Sequence, residues 1–153
     1  MRPGPGGAAL AATLLLAVAA QAQGVPAGGA ATPVGLWRTF SDATGKETGR
    51  VQIFAENGRL FGVIAAIVDP AKRQAICIKC TDDRHDRPVL GLQIIRGLQP
   101  DGARWDGGTI LDPETGSVYG CSLRLTDGGS RLVVRGFLGI SLLGRSQVWV
   151  RAS

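Results

Sequence analysis

From Val34 to its last residue the chain alternates short runs of β-forming residues with clusters of glycine, proline, asparagine and aspartate. No apolar period of 3.6 residues persists for three turns in this part, so the pattern favours strands over helices. The 23 glycines and 8 prolines follow no collagen-like period and indicate many tight turns. The runs predict eight strands, over residues 34–40, 49–55, 59–68, 88–98, 103–111, 117–126, 131–138 and 144–152.

The connections between these predicted strands are mostly short and chemically suited to turns. Asn57-Gly58 is the two-residue hairpin signal, in which both central residues take positive φ. Residues 100–102, 112–116 and 127–130 contain the aspartate, glycine and proline that such turns favour. Eight strands in an antiparallel meander can close on themselves and leave no exposed edge. We therefore predict an all-β fold, a single eight-stranded antiparallel up-and-down β-barrel, with a two-sheet sandwich as the alternative.

The first 22 residues have the pattern of a cleaved export signal. Arg2 supplies the positive start, residues 8–20 form an apolar run, and Ala20-Gln21-Ala22 has the small-x-small pattern that precedes a cleavage point. An uncleaved anchor is the alternative, which the run disfavours because a bilayer span needs about 20 apolar residues. We predict a periplasmic or secreted bacterial protein, without stable membrane insertion after cleavage. Its parts are a signal peptide (1–22), a flexible leader (23–33) and a β-barrel domain (34–153).

A meander places each side chain near one of the two ends of the barrel. We take the end at which the first strand begins as the lower end, and all three tryptophans fall toward it. Trp37 and Arg151 would face each other where the first and last strands meet, with the guanidinium stacked on the indole. The pattern favours an aromatic plug over a ligand site here. The predicted barrel-closing cluster comprises Gly35, Trp37, Trp105, Trp149 and Arg151.

The loops that follow the first, third, fifth and seventh strands gather at the upper end. They cover residues 41–48, 69–87, 112–116 and 139–143. The second is the longest, and loops of its length in compact domains are usually functional or stapled in place. Its stretch 82–87 alternates in charge and is expected to be a solvated loop. Tyr119, His85 and Arg135 are the candidate ligand-rim residues, although Arg135 could equally point outward to water.

Three cysteines, Cys77, Cys80 and Cys121, form the main chemical motif. In an oxidising compartment a disulfide is the expected state, and three thiols allow three pairings among which the residues do not choose. The C-x-x-C of Cys77 and Cys80 also admits a thiol redox function, although no βαβ pattern surrounds it. A zinc site made by the three cysteines and His85 is a further alternative, which the export signal disfavours. We predict no metal, no cofactor and no catalytic residue, and an enzyme is not favoured.

Five longer stretches of the sequence carry a family resemblance: GLWRTFSDATGK (35–46), CIKC (77–80), RPVLGLQIIRGL (87–98), WDGGTILDPETGSVYGC (105–121) and VRGFLGISLLGRSQVWVR (134–151). On these stretches the chain is identified as a member of the exported bacterial family called domain of unknown function 2147 (DUF2147). The resemblance implies a lipocalin-type barrel, in agreement with Gly35-Leu36-Trp37 and the terminal arginine, which resemble the lipocalin signature. It brings no assigned activity.

Charge and composition narrow the classes of function. The formal net charge is +5, but the basic residues are dispersed singly, so no nucleic-acid partner is expected. One histidine and three glutamates exclude most chemistry built on histidine clusters or glutamate pairs. We predict a small module that binds an apolar or amphiphilic ligand through its loop-lined upper end. The alternative is a cell-envelope protein whose filled barrel acts through its surface, and a lumen cavity of about 300 Å³ or more would favour the ligand.

Overall fold

The computed structural model describes residue 4, residues 31–139 and residues 144–153. The predicted signal peptide lies outside the described residues apart from Gly4, as do most of the predicted leader and residues 140–143. Within the described ranges, no helix is long and apolar enough to cross a membrane.

Eight antiparallel strands form a closed barrel in which each strand pairs with its neighbours in the chain. The ring closes between β1 and β8, where Trp37 lies opposite Arg151 and Arg38 lies opposite Val150. The predicted all-β, up-and-down barrel is therefore confirmed. Short 3-10 turns at Pro70–Lys72 and Asp127–Gly129 interrupt the connections. The strands are β1 (Gly35–Phe40), β2 (Glu47–Glu56), β3 (Arg59–Ile67), β4 (Gln93–Asp101), β5 (Arg104–Asp112), β6 (Ser117–Thr126), β7 (Arg131–Phe137) and β8 (Gly144–Arg151).

The largest departure from the predicted strands is at β4, which was expected over 88–98. Residues 88–92 belong instead to the long connection after β3, where Gly91 has a φ of 84° and Pro88 forms an isolated bridge with Ile76. At its other end β4 continues through Pro100. Because Leu98 already pairs with Leu60, the second residue of β3, Pro100 lies beyond β3 and its missing N–H leaves no ladder bond unmade there.

Inward-facing side chains pack into a continuous apolar core through the lower half and the middle of the barrel. Burying each of these side chains stabilises the fold by about 1.5–3 kcal/mol relative to exposure, before the cost in conformational entropy. The core therefore supplies much of the stability of the closed ring. The largest fully buried members are Trp37, Ile53, Ile95, Leu98, Leu123 and Leu132.

The long connection over residues 68–92 is tied to β4 by charged side chains. Arg84 is buried and donates to the carboxylate of Asp82 at 2.6 Å and to the carbonyl oxygen of Gln93 at 3.0 Å. Hydrogen bonds from the side chain and the backbone of Arg84 lower the pKa of Asp82 to about 2. Asp83 accepts two hydrogen bonds from Arg96, each of 2.8 Å. The expectation that 82–87 is a solvated loop is thus wrong for Arg84, which clamps the connection to the barrel wall.

Candidate functional site

A cavity of about 1190 Å³ occupies the upper half of the lumen. Its walls come from all eight strands together with the turn after β1, the long connection, the turn after β5 and Leu138. Glycines at inward positions, such as Gly49 and Gly136, leave this space open where the lower half is filled. The buried apolar residues of the lining are Val51, Ile94, Leu111, Val134 and Trp149, and the partly buried Ile64 packs against them.

Trp149 marks the boundary between the packed core and the cavity. Its side chain is buried and lines the cavity, while its partner across β7, Leu132, is fully buried in the core below. The sequence places Trp149 in a barrel-closing cluster at the lower end. The structure instead places it at the floor of the cavity, two residues above Arg151 on the same face of β8.

A hydrogen-bonded chain of polar side chains runs from this floor to the upper rim. The indole Nε1 of Trp149 donates to Oε1 of Gln147 at 3.2 Å, and Nε2 of Gln147 donates to Asp42 at 3.1 Å. Asp42 also forms an ion pair of 3.0 Å with Arg145. These four side chains all line the cavity, so one wall offers donors and acceptors beside an otherwise apolar surface.

Other charged groups of the rim are held by partners within the protein. Glu47 lines the cavity and lies 2.8 Å from Arg38. Hydrogen bonding from Arg38 is the largest cause that lowers the pKa of Glu47, followed by a weaker contribution from Arg50. The rim thus keeps an ionised carboxylate at ordinary pH.

The segment around the C-x-x-C lies across one side of the cavity mouth. Ala75, Ile76, Ile78 and Lys79 all contribute to the lining. The backbone of this segment packs so closely on the turn after β5 that a Cβ at Gly116, which has a φ of 76°, would overlap the carbonyl group of Lys79. Only glycine fits that position. The segment is therefore a fixed part of the wall.

Two further contacts hold the same junction. The Lys72 ammonium lies 2.5 Å from the Glu114 carboxylate, and this hydrogen bond raises the pKa of Lys72. The sulfur of Cys77 lies 3.6 Å from the carbonyl oxygen of Pro113. The long connection is thus joined to the turn after β5 on one side and to β4 on the other.

The cysteines divide into one disulfide and one free thiol. Cys77 and Cys80 are bonded to each other, and both are buried. Cys121 is a buried free cysteine whose pKa is raised to about 12, chiefly by desolvation and secondarily by the charge of Asp106. A buried disulfide and a protonated thiol offer little to thiol exchange, which needs an accessible thiolate.

The described residues do not form the four-ligand zinc site that was considered as an alternative. Cys77 and Cys80 are joined in the disulfide, and no group of three or more His, Cys, Asp and Glu side chains suited to a metal ion occurs among the residues that the structure describes. Nδ1 of His85 lies 2.7 Å from the carbonyl oxygen of Cys80, and its Nε2 lies 3.2 Å from Asp86. His85 is therefore an exposed residue of the long connection, held by neighbours within that connection.

The lower end is closed by Arg151. Its guanidinium lies 4.3 Å from the centre of the Trp37 ring and donates to the carbonyl oxygens of Thr32, Val34 and Gly129 at 2.7–2.9 Å. Gly35 has a φ of 139°, and a Cβ there would lie 2.7 Å from the same guanidinium. One arginine thus organises the entering chain, the turn before β7 and the aromatic ring.

The remaining predicted site residues fall in different places. Tyr119 lines the cavity on β6. Trp105 is half-buried at the lower end of β5, where it pairs with Leu123 and packs on the core. Arg135 lies on β7 and pairs with Ser146 of β8. Its neighbours on either side, Val134 and Gly136, line the cavity, so alternation along the strand places Arg135 on the outer face of the barrel. Of the three rim candidates, the structure brings Tyr119 to the cavity and places His85 and Arg135 outside the described lining.

The polar wall of the cavity was not among the features predicted from the sequence. Arg145, Gln147 and Trp149 occupy alternate positions of β8 and so share one face. That alternation is visible in the sequence and could have placed all three inside. Asp42 lies in the turn after β1, and nothing local indicated its contact with β8.

Comparison with known proteins agrees with this architecture. Residues 35–151 match the model of the family described as uncharacterized protein conserved in bacteria (DUF2147). Among solved structures the chain is similar to protein HP1028 from the human pathogen Helicobacter pylori, which is described as belonging to the lipocalin family. The two share 17% identity with a TM-score of 0.70, over 80% of this chain and 84% of that chain, so the likeness shows the fold. No curated protein matches the chain.

Proposed function

The chain belongs to the DUF2147 family, and from that premise and its lipocalin-like barrel we propose that it binds one apolar or amphiphilic small molecule. The observation that carries the proposal is the cavity of about 1190 Å³ in the upper lumen. Pockets for small ligands commonly have volumes of roughly 300–1,000 Å³ and combine apolar walls with a few polar groups. This cavity is slightly larger than that range and has both features.

The arrangement of the lining supports an amphiphile in a particular orientation. The apolar part of the ligand would lie against Val51, Val134 and the indole of Trp149 at the floor. A polar end would then reach Tyr119 and the chain of side chains from Gln147 to Asp42 near the rim. Apolar contact supplies affinity in such a site, and the few polar groups select the head of the ligand.

We further propose that the protein works in the periplasm or is secreted. A disulfide between Cys77 and Cys80 supports this location, because structural disulfides persist mainly in oxidising compartments. The predicted export signal over residues 1–22 is consistent with it. The disulfide then serves the binding site by fixing the segment that borders its mouth.

The test fills the cavity and compares two adjacent alanines of β3. Ala66 lines the cavity, whereas Ala65 is exposed on the outside. We expect Ala66→Phe to raise the dissociation constant of a fluorescent apolar probe about tenfold, equivalent to about 1.4 kcal/mol of lost contact, and Ala65→Phe to leave it unchanged. Equal effects of the two substitutions, or no probe binding by the wild type, would contradict the proposal.

A second measurement identifies the natural ligand. Native mass spectrometry of the protein purified from its own host should show an added mass of a small molecule that Ala66→Phe does not retain. A preparation in which both proteins have only the mass of the polypeptide would count against a tightly held ligand.

A further inference from the structure

The large apolar side chains exposed most strongly in the described chain all surround the mouth of the cavity. Ile78 and Leu138 are each 62% exposed, and Val68 and Ile76 are each 47% exposed. All four also belong to the cavity lining. We call these four residues the mouth patch. Scattered exposed apolar residues need no explanation, but a cluster at one end of a small protein indicates an interaction surface.

The charges around the mouth patch leave positive groups available to a partner. Five carboxylates line the cavity, and each is engaged within the protein. Asp69 and Asp112 each accept a hydrogen bond from a nearby backbone N–H at 2.9 Å. The other three form ion pairs, namely Asp42–Arg145, Glu47–Arg38 and Glu114–Lys72.

Two exposed lysines at the same end differ from these carboxylates. Lys79 lines the mouth and Lys46 lies in the turn after β1. Neither side chain has an ion pair or a hydrogen bond with another residue in the ranges that the structure describes. The surface at this end that has no partner within the described chain is therefore apolar at its centre and positively charged beside it.

From this pattern we infer that the upper end of the barrel docks on an anionic lipid bilayer. Apolar side chains that enter the boundary between head groups and acyl chains, flanked by lysines that meet anionic head groups, are the features by which proteins bind such surfaces. The cavity opens within the same patch, so an apolar molecule would move between bilayer and lumen without crossing water. This inference goes beyond the proposed function, because the docking can be measured with no ligand present.

The experiment uses the full mature chain and lipid vesicles without added ligand. We expect co-sedimentation with vesicles of phosphatidylglycerol and phosphatidylcholine, weaker binding to phosphatidylcholine alone, and a decrease with rising salt. Ile78→Ser should weaken binding about tenfold because it removes an inserted apolar side chain. Lys46→Gln should weaken it about fivefold because it removes one charge near the surface.

Val148→Ser is the matched control, since Val148 is 45% exposed on the outer wall of β8 and does not line the mouth. It should leave vesicle binding unchanged. Absence of vesicle binding by the wild type, or an equal loss in Val148→Ser, would overturn the inference. A concentration-dependent dimer that Ile78→Ser abolishes, with no vesicle binding, would overturn it in favour of a second copy of the chain.

Failure of the docking and failure of ligand binding can be told apart. Ala66→Phe should bind the apolar probe more weakly and keep vesicle binding. Lys46→Gln should bind vesicles more weakly and keep probe binding. A wild type that binds vesicles but no probe would retain the docking inference and remove the ligand proposal.

Discussion

The two halves of the barrel are built from the same alternating strands, but the lumen is filled in the lower half and open in the upper half. In the lower half Trp37, Leu98 and Leu132 are fully buried and fill the lumen. In the upper half the inward positions include Gly49 and Gly136, and a cavity remains. The comparison shows that one closed sheet can combine a stabilising core with an open site when side-chain volume changes along its axis.

The two ends also use arginine differently. Arg151 at the lower end is tied to three carbonyl oxygens and an aromatic ring. Arg145 at the upper rim is exposed and has one carboxylate partner, Asp42. The lower arginine is therefore a structural element, and the upper one is part of a surface that faces a ligand or solvent.

The largest expected difference between the halves is in the cost of removing apolar side chains. We expect Leu132→Ala to lower the free energy of unfolding by about 2–5 kcal/mol, because a close-packed core collapses poorly around the void. Ile64→Ala, at the wall of the cavity, should cost about 1–2 kcal/mol because its side chain already borders empty space. Urea unfolding measures both. Equal losses would show that the upper half is packed as tightly as the lower half.

A smaller difference is expected between the two arginines. Arg151→Met should lower the free energy of unfolding by about 2–3 kcal/mol, because it leaves carbonyl oxygens of the entering chain without their donor and removes the cation–π contact. Arg145→Met should change it by less than about 0.5 kcal/mol, as is usual for an exposed ion pair. Thermal unfolding of the two variants at one pH tests this ranking. A larger loss of unfolding free energy for Arg145→Met than for Arg151→Met would show that the upper arginine, and not the lower one, is the structural element.

The smallest expected effect concerns pH and the clamp on the long connection. The pKa of Asp82 is lowered from 3.8 to about 2 by its hydrogen bonds with Arg84. The stability that this lowering adds is present above pH 3.8 and is lost as the pH falls toward 2. We expect about 1 kcal/mol, because the partly exposed carboxylate is screened by solvent.

Amide hydrogen exchange between pH 4 and pH 2 measures where this loss occurs. Protection in residues 75–92 should fall, relative to that of the lower strands, as the pH decreases. Asp82→Asn should show the weaker protection at both pH values. If protection in Asp82→Asn fell with pH as it does in the wild type, titration of Asp82 would not be the cause of the loss.

Much of the lower end could be predicted, because it depends on local strand and turn patterns and on the alternating direction of successive strands. The strands over 117–126 and 131–138 were predicted to within one residue of β6 and β7. The meeting of Trp37 and Arg151 required only that the first and last strands pair, which they do. The start of β4 could not be predicted, because residues 88–92 have strand-like composition but are drawn into the long connection by contacts with Ile76 and Ile64.

The sequence by itself determined the number of strands and their antiparallel order, since these follow from alternation and turn chemistry along the chain. It favoured a closed ring over a two-sheet sandwich, and the pairing of β1 with β8 decided between them. Only the tertiary structure decided that the lumen is filled below and open above, that Trp149 is a cavity floor, and that Arg84 is a buried clamp. A lumen has a volume only when inward side chains from all its strands are summed at each level, and a buried charge is permitted only where a distant backbone supplies its partner.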